Sequence, residues 1–215
     1  MKKTFLFDMD GVLVNSEPVW ERDEPDFLRD LFGSDIYEKV KDIVLGSTVE
    51  RILDHARVQG FEMANEEFFT KYDAAAHRVY PKAEMTEGID EFGEFLIEKG
   101  FLLGLVSSSR KNWIDLVIPR LSFGEKFETI ISVNDDPDLQ SKPAPDGYKK
   151  AMELIGTTPE NTIILEDSNT GIEAGQTSGA LTIGLRQNLP EGYVQKGADL
   201  YAENLESLKK ILSVF

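Results

Sequence analysis

Four short segments carry residues whose types and spacing suit chemistry. The first is Asp8-Met9-Asp10-Gly11-Val12. Its two carboxylates sit two residues apart where an apolar run ends, and alternation along an extended backbone aims both to one side. Gly11 permits a sharp turn and close approach to a ligand. The pair suits a hard divalent cation, acid–base work, or both; it equally describes a strand end with solubilising aspartates. The second is Val106-Ser107-Ser108-Ser109-Arg110. Hydroxyl and N–H groups at Ser107 and Ser108 can cradle a phosphate or simply cap a helix. The third is Ser141-Lys142-Pro143-Ala144-Pro145-Asp146. Pro143 keeps Lys142 out of the helical region, and Pro145 with Asp146 reads as the first turn of the next helix. The fourth is Ile163-Ile164-Leu165-Glu166-Asp167-Ser168. Two adjacent carboxylates follow a fully apolar run, where they are costly unless paired with a cation. Thr170-Gly171-Ile172-Glu173 reads as a capping box, which accounts for a helix start but not for Glu166 and Asp167.

Positioning these groups requires a scaffold, and the apolar pattern describes one. Strand-like runs occur at residues 3–7, 101–106, 129–133, 162–165 and 180–185. Helical spacing fills the gaps at 88–99, 112–121, 145–155, 170–178 and near 204–213. Strands alternating with helices imply a parallel α/β sheet, doubly wound and covered on both faces. Ligands in such sheets bind outside the carboxyl ends of the strands, where all four segments fall. Together they comprise two acidic pairs, a hydroxyl cluster and a lysine, a set able to hold a magnesium ion and a phosphoryl group beside a carboxylate nucleophile. Residues 15–82 differ: they lack strand-like runs and show helical spacing throughout. They read as a small all-helical domain inserted after the first strand, with 1–14 and 83–215 forming the α/β core.

Composition narrows the partners. A formal net charge of −16, from 39 acidic and 23 basic residues, repels nucleic acid and anionic lipid. Neither is expected as a partner, and any phosphate site must be locally positive. The 215 residues contain no cysteine, which excludes disulfides, thiolate metal sites and a cysteine nucleophile. A cytoplasmic monomer acting on a small phosphorylated molecule is the expectation.

In order and spacing, the four segments resemble the motifs of the haloacid dehalogenase superfamily, and the resemblance covers nearly the whole chain. Asn15-Ser16-Glu17-Pro18 and the run from Glu166 to Ile172 look most like its β-phosphoglucomutase and sugar-phosphatase subgroup. The resemblance implies a Rossmann-like core with a helical cap domain. It implies that Asp8 attacks phosphorus and becomes an aspartyl-phosphate, and that Asp10 protonates the leaving alkoxide and then deprotonates water. It further implies Mg2+ held by Asp8, the backbone carbonyl of Asp10, Glu166 and Asp167, with Ser107 and Lys142 on the transferring oxygens. The segment from Leu45 to Arg51 looks like the substrate-specificity loop, with Gly46 allowing close approach and Arg51 meeting the substrate's far end. Mutases of the subgroup carry a histidine ten residues after the second aspartate of the first motif; here that residue is Trp20. Hydrolysis of a sugar or polyol phosphate is therefore favoured. A β-phosphoglucomutase-type mutase and a non-catalytic phospho-acceptor are the alternatives.

Overall fold

The computed structural model describes residues 3–44 and 48–213. Their strands are β1 (Lys3–Phe7), β2 (Val14–Asn15), β3 (Glu84–Met85), β4 (Phe101–Ser107), β5 (Phe127–Ser132), β6 (Thr162–Glu166), β7 (Leu181–Leu185) and β8 (Leu200–Ala202). The helices are α1 (Glu17–Phe32), α2 (Ser34–Val44), α3 (Val49–Val58), α4 (Asn65–Val79), α5 (Ile89–Glu98), α6 (Lys111–Val117), α7 (Asp146–Ile155), α8 (Asn169–Ser178) and α9 (Leu205–Leu212). Contacts divide the chain into two compact units, residues 1–15 with 84–215 and residues 16–83.

In the first unit, the described residues form a six-stranded parallel sheet in the order β5-β4-β1-β6-β7-β8. Parallel strands buried on both faces need near-continuous apolar runs. β1 meets this with Phe5, Leu6 and Phe7, all fully buried. Alternation sends Phe5 and Phe7 to one face, where Phe92 of α5 packs edge-on against both rings. Leu6 goes to the other face, among Val106, Ile164 and the α7 residues Tyr148, Ala151 and Met152. The chain moves outward from β1 through β4 to β5, then returns to β6 on the opposite side of β1. The carboxyl ends of β4, β1 and β6 therefore border a topological switch point, where such sheets open a crevice.

Register sets which residues meet there. Phe7 aligns with Leu105 of β4 and Leu165 of β6. Asp8 is one residue past the first strand's end, and its N–H still donates to Leu165 O (3.0 Å). Glu166 is thereby placed beside it, with Ser107 closing β4 on the other flank.

Two local expectations are corrected. The helix expected over 112–121 ends at Val117 and tightens into a 3-10 turn at Ile118–Arg120, because Pro119 has no N–H to continue it. The capping box expected at Thr170 is absent: α8 starts earlier, with Ser168 Oγ accepting from Gly171 N (3.0 Å). The reciprocal box lies instead between Asn204 and Ser207, at the start of α9. Strands β2, β3 and β8, of two or three residues each, are too short to leave a readable alternation. Among the described residues no helix is long and apolar enough to cross a membrane.

The second unit packs α1 to α4 around Leu28, Phe32, Phe68 and Tyr72, with the Phe32 and Phe68 rings stacked at 6.0 Å. Glu24 of α1 accepts a hydrogen bond from Tyr72 Oη (2.8 Å). Burial lifts its carboxyl from the ordinary 4.5 to about 7, against the Tyr72 hydrogen bond and with a further push from Glu17. An acid raised on folding stabilises fully below its unfolded value and loses that stabilisation as pH climbs through the folded value. Between pH 4.5 and about 7 this amounts to about 3 kcal/mol. Glu24→Gln should remove this dependence: in urea unfolding from pH 5 to pH 8, wild type should lose about 2–3 kcal/mol relative to the variant. Parallel pH profiles for the two proteins would contradict it.

Candidate active site

Four of the expected residues converge at the switch point. Asp8 is 7% exposed and Glu166 is fully buried. Oxygens of the Asp8, Glu166 and Asp167 carboxylates lie within 4.8 Å of one another. Lys142 reaches into this cluster from the loop before α7. Its Nζ donates to Asp8 Oδ1 (2.6 Å), Glu166 Oε1 (2.6 Å) and Val106 O (3.0 Å), which occupies all three ammonium donors. The peptide joining Lys142 to Pro143 is cis, and Pro145 sits one position ahead of α7 as its cap rather than inside it.

One ammonium cannot balance three clustered carboxylates. Burial pushes Asp8 up from the ordinary carboxylate range; Lys142 pulls it back, while Glu166 and Asp10 push it further. Asp167 is raised for the same reasons, first by burial and then by Asp8, Glu166 and Asp10. Burial opposes the charge on Lys142, but Asp8 and Glu166 outweigh it and hold the ammonium firmly protonated. A site of hard oxygen donors carrying excess negative charge fits a divalent cation, which would reverse the upward push on the carboxylates.

Two glycines make room for the cluster. Gly11 adopts φ +79°, and a Cβ there would lie 1.9 Å from Asp167 Oδ2. A Cβ on Gly171 would lie 2.0–2.1 Å from the Glu166 carboxyl atoms. Asn188 ties down the first loop, donating from Nδ2 to Gly11 O (3.1 Å) and Thr86 Oγ1 (2.7 Å).

Asp10 stands apart from the three-carboxylate cluster. Ser109 Oγ donates to its Oδ2 (2.6 Å), and Ser132 Oγ in turn donates to Ser109 O (2.9 Å). Ser107 is buried, its Oγ accepting from Ser109 N (3.0 Å). Ser108 is half-buried, and its carbonyl accepts from Asn134 Nδ2 (2.8 Å). Arg110 pairs with Asp135 at 3.4 Å. In the helical unit Arg51 is exposed on the first turn of α3. Trp20 is half-buried against Tyr72 and Tyr80 at 6.2 and 6.3 Å. Gly46 lies outside the described residues. Sequence reasoning missed Ser109 as a partner of Asp10, though the serine triplet was in view. It also missed Asn188, Asn134 and Tyr148, whose roles depend on contacts across the fold.

Comparison with known proteins identifies the family. A family model described as haloacid dehalogenase-like hydrolase matches residues 5–185. Hexitol phosphatase B of Escherichia coli (strain K12) is 29% identical over 177 residues, 80% of this chain and 78% of that one. Phosphoglycolate phosphatase of Aquifex aeolicus (strain VF5) is 26% identical over 205 residues, covering 92% and 94%. Among solved structures, CbbY of Rhodobacter sphaeroides in complex with phosphate superposes with a TM-score of 0.76 at 23% identity, over 97% of this chain and 96% of that one.

The glycine that shapes the cluster supplies a test. In Gly171→Ala the new methyl must displace a carboxyl pinned by Lys142. Calorimetric titration should show divalent-cation affinity at least about ten-fold weaker than wild type, at a stability cost of about 1–3 kcal/mol. A folded variant with unchanged affinity would place the cation elsewhere.

Proposed function

The chain belongs to the haloacid dehalogenase-like hydrolases, and from that premise we propose that it is a Mg2+-dependent phosphatase hydrolysing a small phosphomonoester, a sugar or polyol phosphate, through an aspartyl-phosphate on Asp8. The observation that carries the reading is the Asp8 carboxylate, nearly buried, 2.6 Å from Lys142 Nζ and clustered with Glu166 and Asp167. Phosphoryl transfer asks mainly for positioning and charge neutralisation, and these groups are suited to supply both.

In this reading Asp8, Glu166 and Asp167 hold Mg2+ with the backbone carbonyl of Asp10. When bound, the ion neutralises the carboxylates and the oxygens of the transferring group. Ser107, Ser108 and Lys142 hold those oxygens, Lys142 trading one of its three contacts for one of them. An Asp8 oxygen forms a bond to phosphorus as the phosphorus–ester oxygen bond breaks. Asp10 gives its proton to the departing alkoxide, so the alcohol leaves neutral. Asp10 then takes a proton from water, which attacks phosphorus and returns Asp8 as inorganic phosphate departs. The Ser109 hydroxyl donates to an Asp10 oxygen at 2.6 Å, which helps to orient this carboxyl for proton transfer.

The helical unit, residues 15–82 by the sequence boundaries, is proposed as the cap domain, with Gly46 and Arg51 recognising the non-reacting end of the substrate. The curated relatives named above are phosphatases, and Trp20 stands where the mutases of the subgroup carry histidine. Both support transfer to water rather than back to a sugar. The absence of cysteine suits the cytoplasm, and a monomer is proposed.

Phosphate release from hexitol, hexose and glycolate phosphates, with and without Mg2+, tests the reading. Turnover should require the metal. Asp8→Asn should lower kcat by about 10^4-fold or more, and Asp10→Asn by about 10^2–10^4-fold. Equal turnover by wild type and Asp8→Asn would end the proposal. Glucose 6-phosphate forming faster than free phosphate from β-glucose 1-phosphate would favour the mutase.

A further inference from the structure

Tyr148 lies in the first turn of α7 and is 1% exposed. It touches two charged groups of the site at once. Its hydroxyl donates to Glu166 Oε1 (2.5 Å), the same oxygen that accepts from Lys142 Nζ (2.6 Å). Its ring lies under that ammonium, 5.0 Å from centroid to nitrogen. The other carboxylate oxygen, Glu166 Oε2, meets Ser168 Oγ at the longer distance of 3.3 Å. Gly171 bounds the carboxyl on a further side, close enough that a methyl group would overlap it.

Two strong donors on one carboxylate oxygen fix the plane of the group and spend that oxygen. The second oxygen is then held ready for a cation. A phenol is suited to this place because it donates one hydrogen bond to Glu166 and offers Lys142 an uncharged π face. A second lysine would compete with the metal, and a serine is too short to reach from a helix. We propose that Tyr148 is a positioning residue for the metal site: its hydroxyl orients Glu166 toward the divalent cation, and its ring steadies Lys142 between Glu166 and the nucleophile. The inference rests on the metal-dependent phosphatase reading above. The competing explanation is a core tyrosine whose hydroxyl merely needs some partner.

Tyr148→Phe separates the two, since it deletes the hydroxyl and keeps the ring. Metal-free wild type and variant are titrated with Mg2+ and with Mn2+ by calorimetry, melted thermally, and assayed with p-nitrophenyl phosphate over a range of Mg2+. In the variant the metal dissociation constant should rise about ten-fold or more. The Mg2+ needed for half-maximal activity should rise in step, with KM for the ester at saturating Mg2+ and the melting temperature unchanged. Tyr148→Leu, which also removes the ring, should in addition lower kcat at saturating Mg2+. Wild-type metal affinity in Tyr148→Phe overturns the proposal. So does failure of that variant to fold, because the hydroxyl would then serve stability. If wild type itself binds neither metal, the phosphatase reading fails and this inference falls with it.

Discussion

Lys142 Nζ sits 2.6 Å from both Asp8 and Glu166, almost wholly out of water. Removing an ammonium and carboxylates from solvent costs several kcal/mol per ion unless geometry and hydrogen bonding restore it. The surroundings are built to meet that demand. The β1–β6 register aligns Phe7 with Leu165, so the next residues, Asp8 and Glu166, both face the lysine. Val106 O takes the third ammonium proton. Tyr148 Oη and Lys142 share one Glu166 oxygen. Gly171 and Gly11 give the carboxylates space that any side chain would fill. Loss of Lys142 itself would leave buried carboxylates unpaired, a costlier state than an apolar core of the same shape. Such a cluster is poor material for stability, which is why it reads as chemistry.

The apolar sheet makes that concentration of charge tolerable. On one face Phe5, Phe7, Phe92, Phe123 and Phe127 form a continuous aromatic layer. On the other, Leu6, Val106, Ile164 and the inner side of α7 close the core. The polar groups are confined to the strand ends, where backbone N–H groups and helix starts already face outward. Tyr148 joins the two regimes, its ring in the core cluster and its hydroxyl on Glu166.

The fold class was readable because five strands of the main sheet are apolar runs long enough to stand out, and the helices between them keep their period. β8 was not, having three residues between Asp199 and Glu203. Pro119 ended α6 sooner than its apolar spacing suggested. The four site segments were readable because carboxylates and a lysine at strand ends are expensive and few residues explain them. Their order of contact was hidden. Nothing in the spacing tells that Lys142 touches Glu166 as well as Asp8, or that Ser109 rather than its neighbours serves Asp10. Ser168 displaced Thr170 as the cap of α8 because the helix begins at Asn169, a boundary that local composition does not mark. Nothing local distinguishes Tyr148 from an ordinary aromatic on a buried helix face.

The proposed mechanism turns on Asp8 taking the phosphoryl group covalently. The most direct measurement is mass spectrometry of acid-quenched Asp10→Asn after mixing with p-nitrophenyl phosphate and Mg2+. This ester's leaving group needs little help from an acid, whereas release of the intermediate needs the base that the variant lacks. One phosphoryl group should be added to the protein, mapped to the peptide at Asp8 and missing when Asp8 is also changed to Asn. Nitrophenol released with no phosphoryl group on Asp8 at any quench time would contradict it.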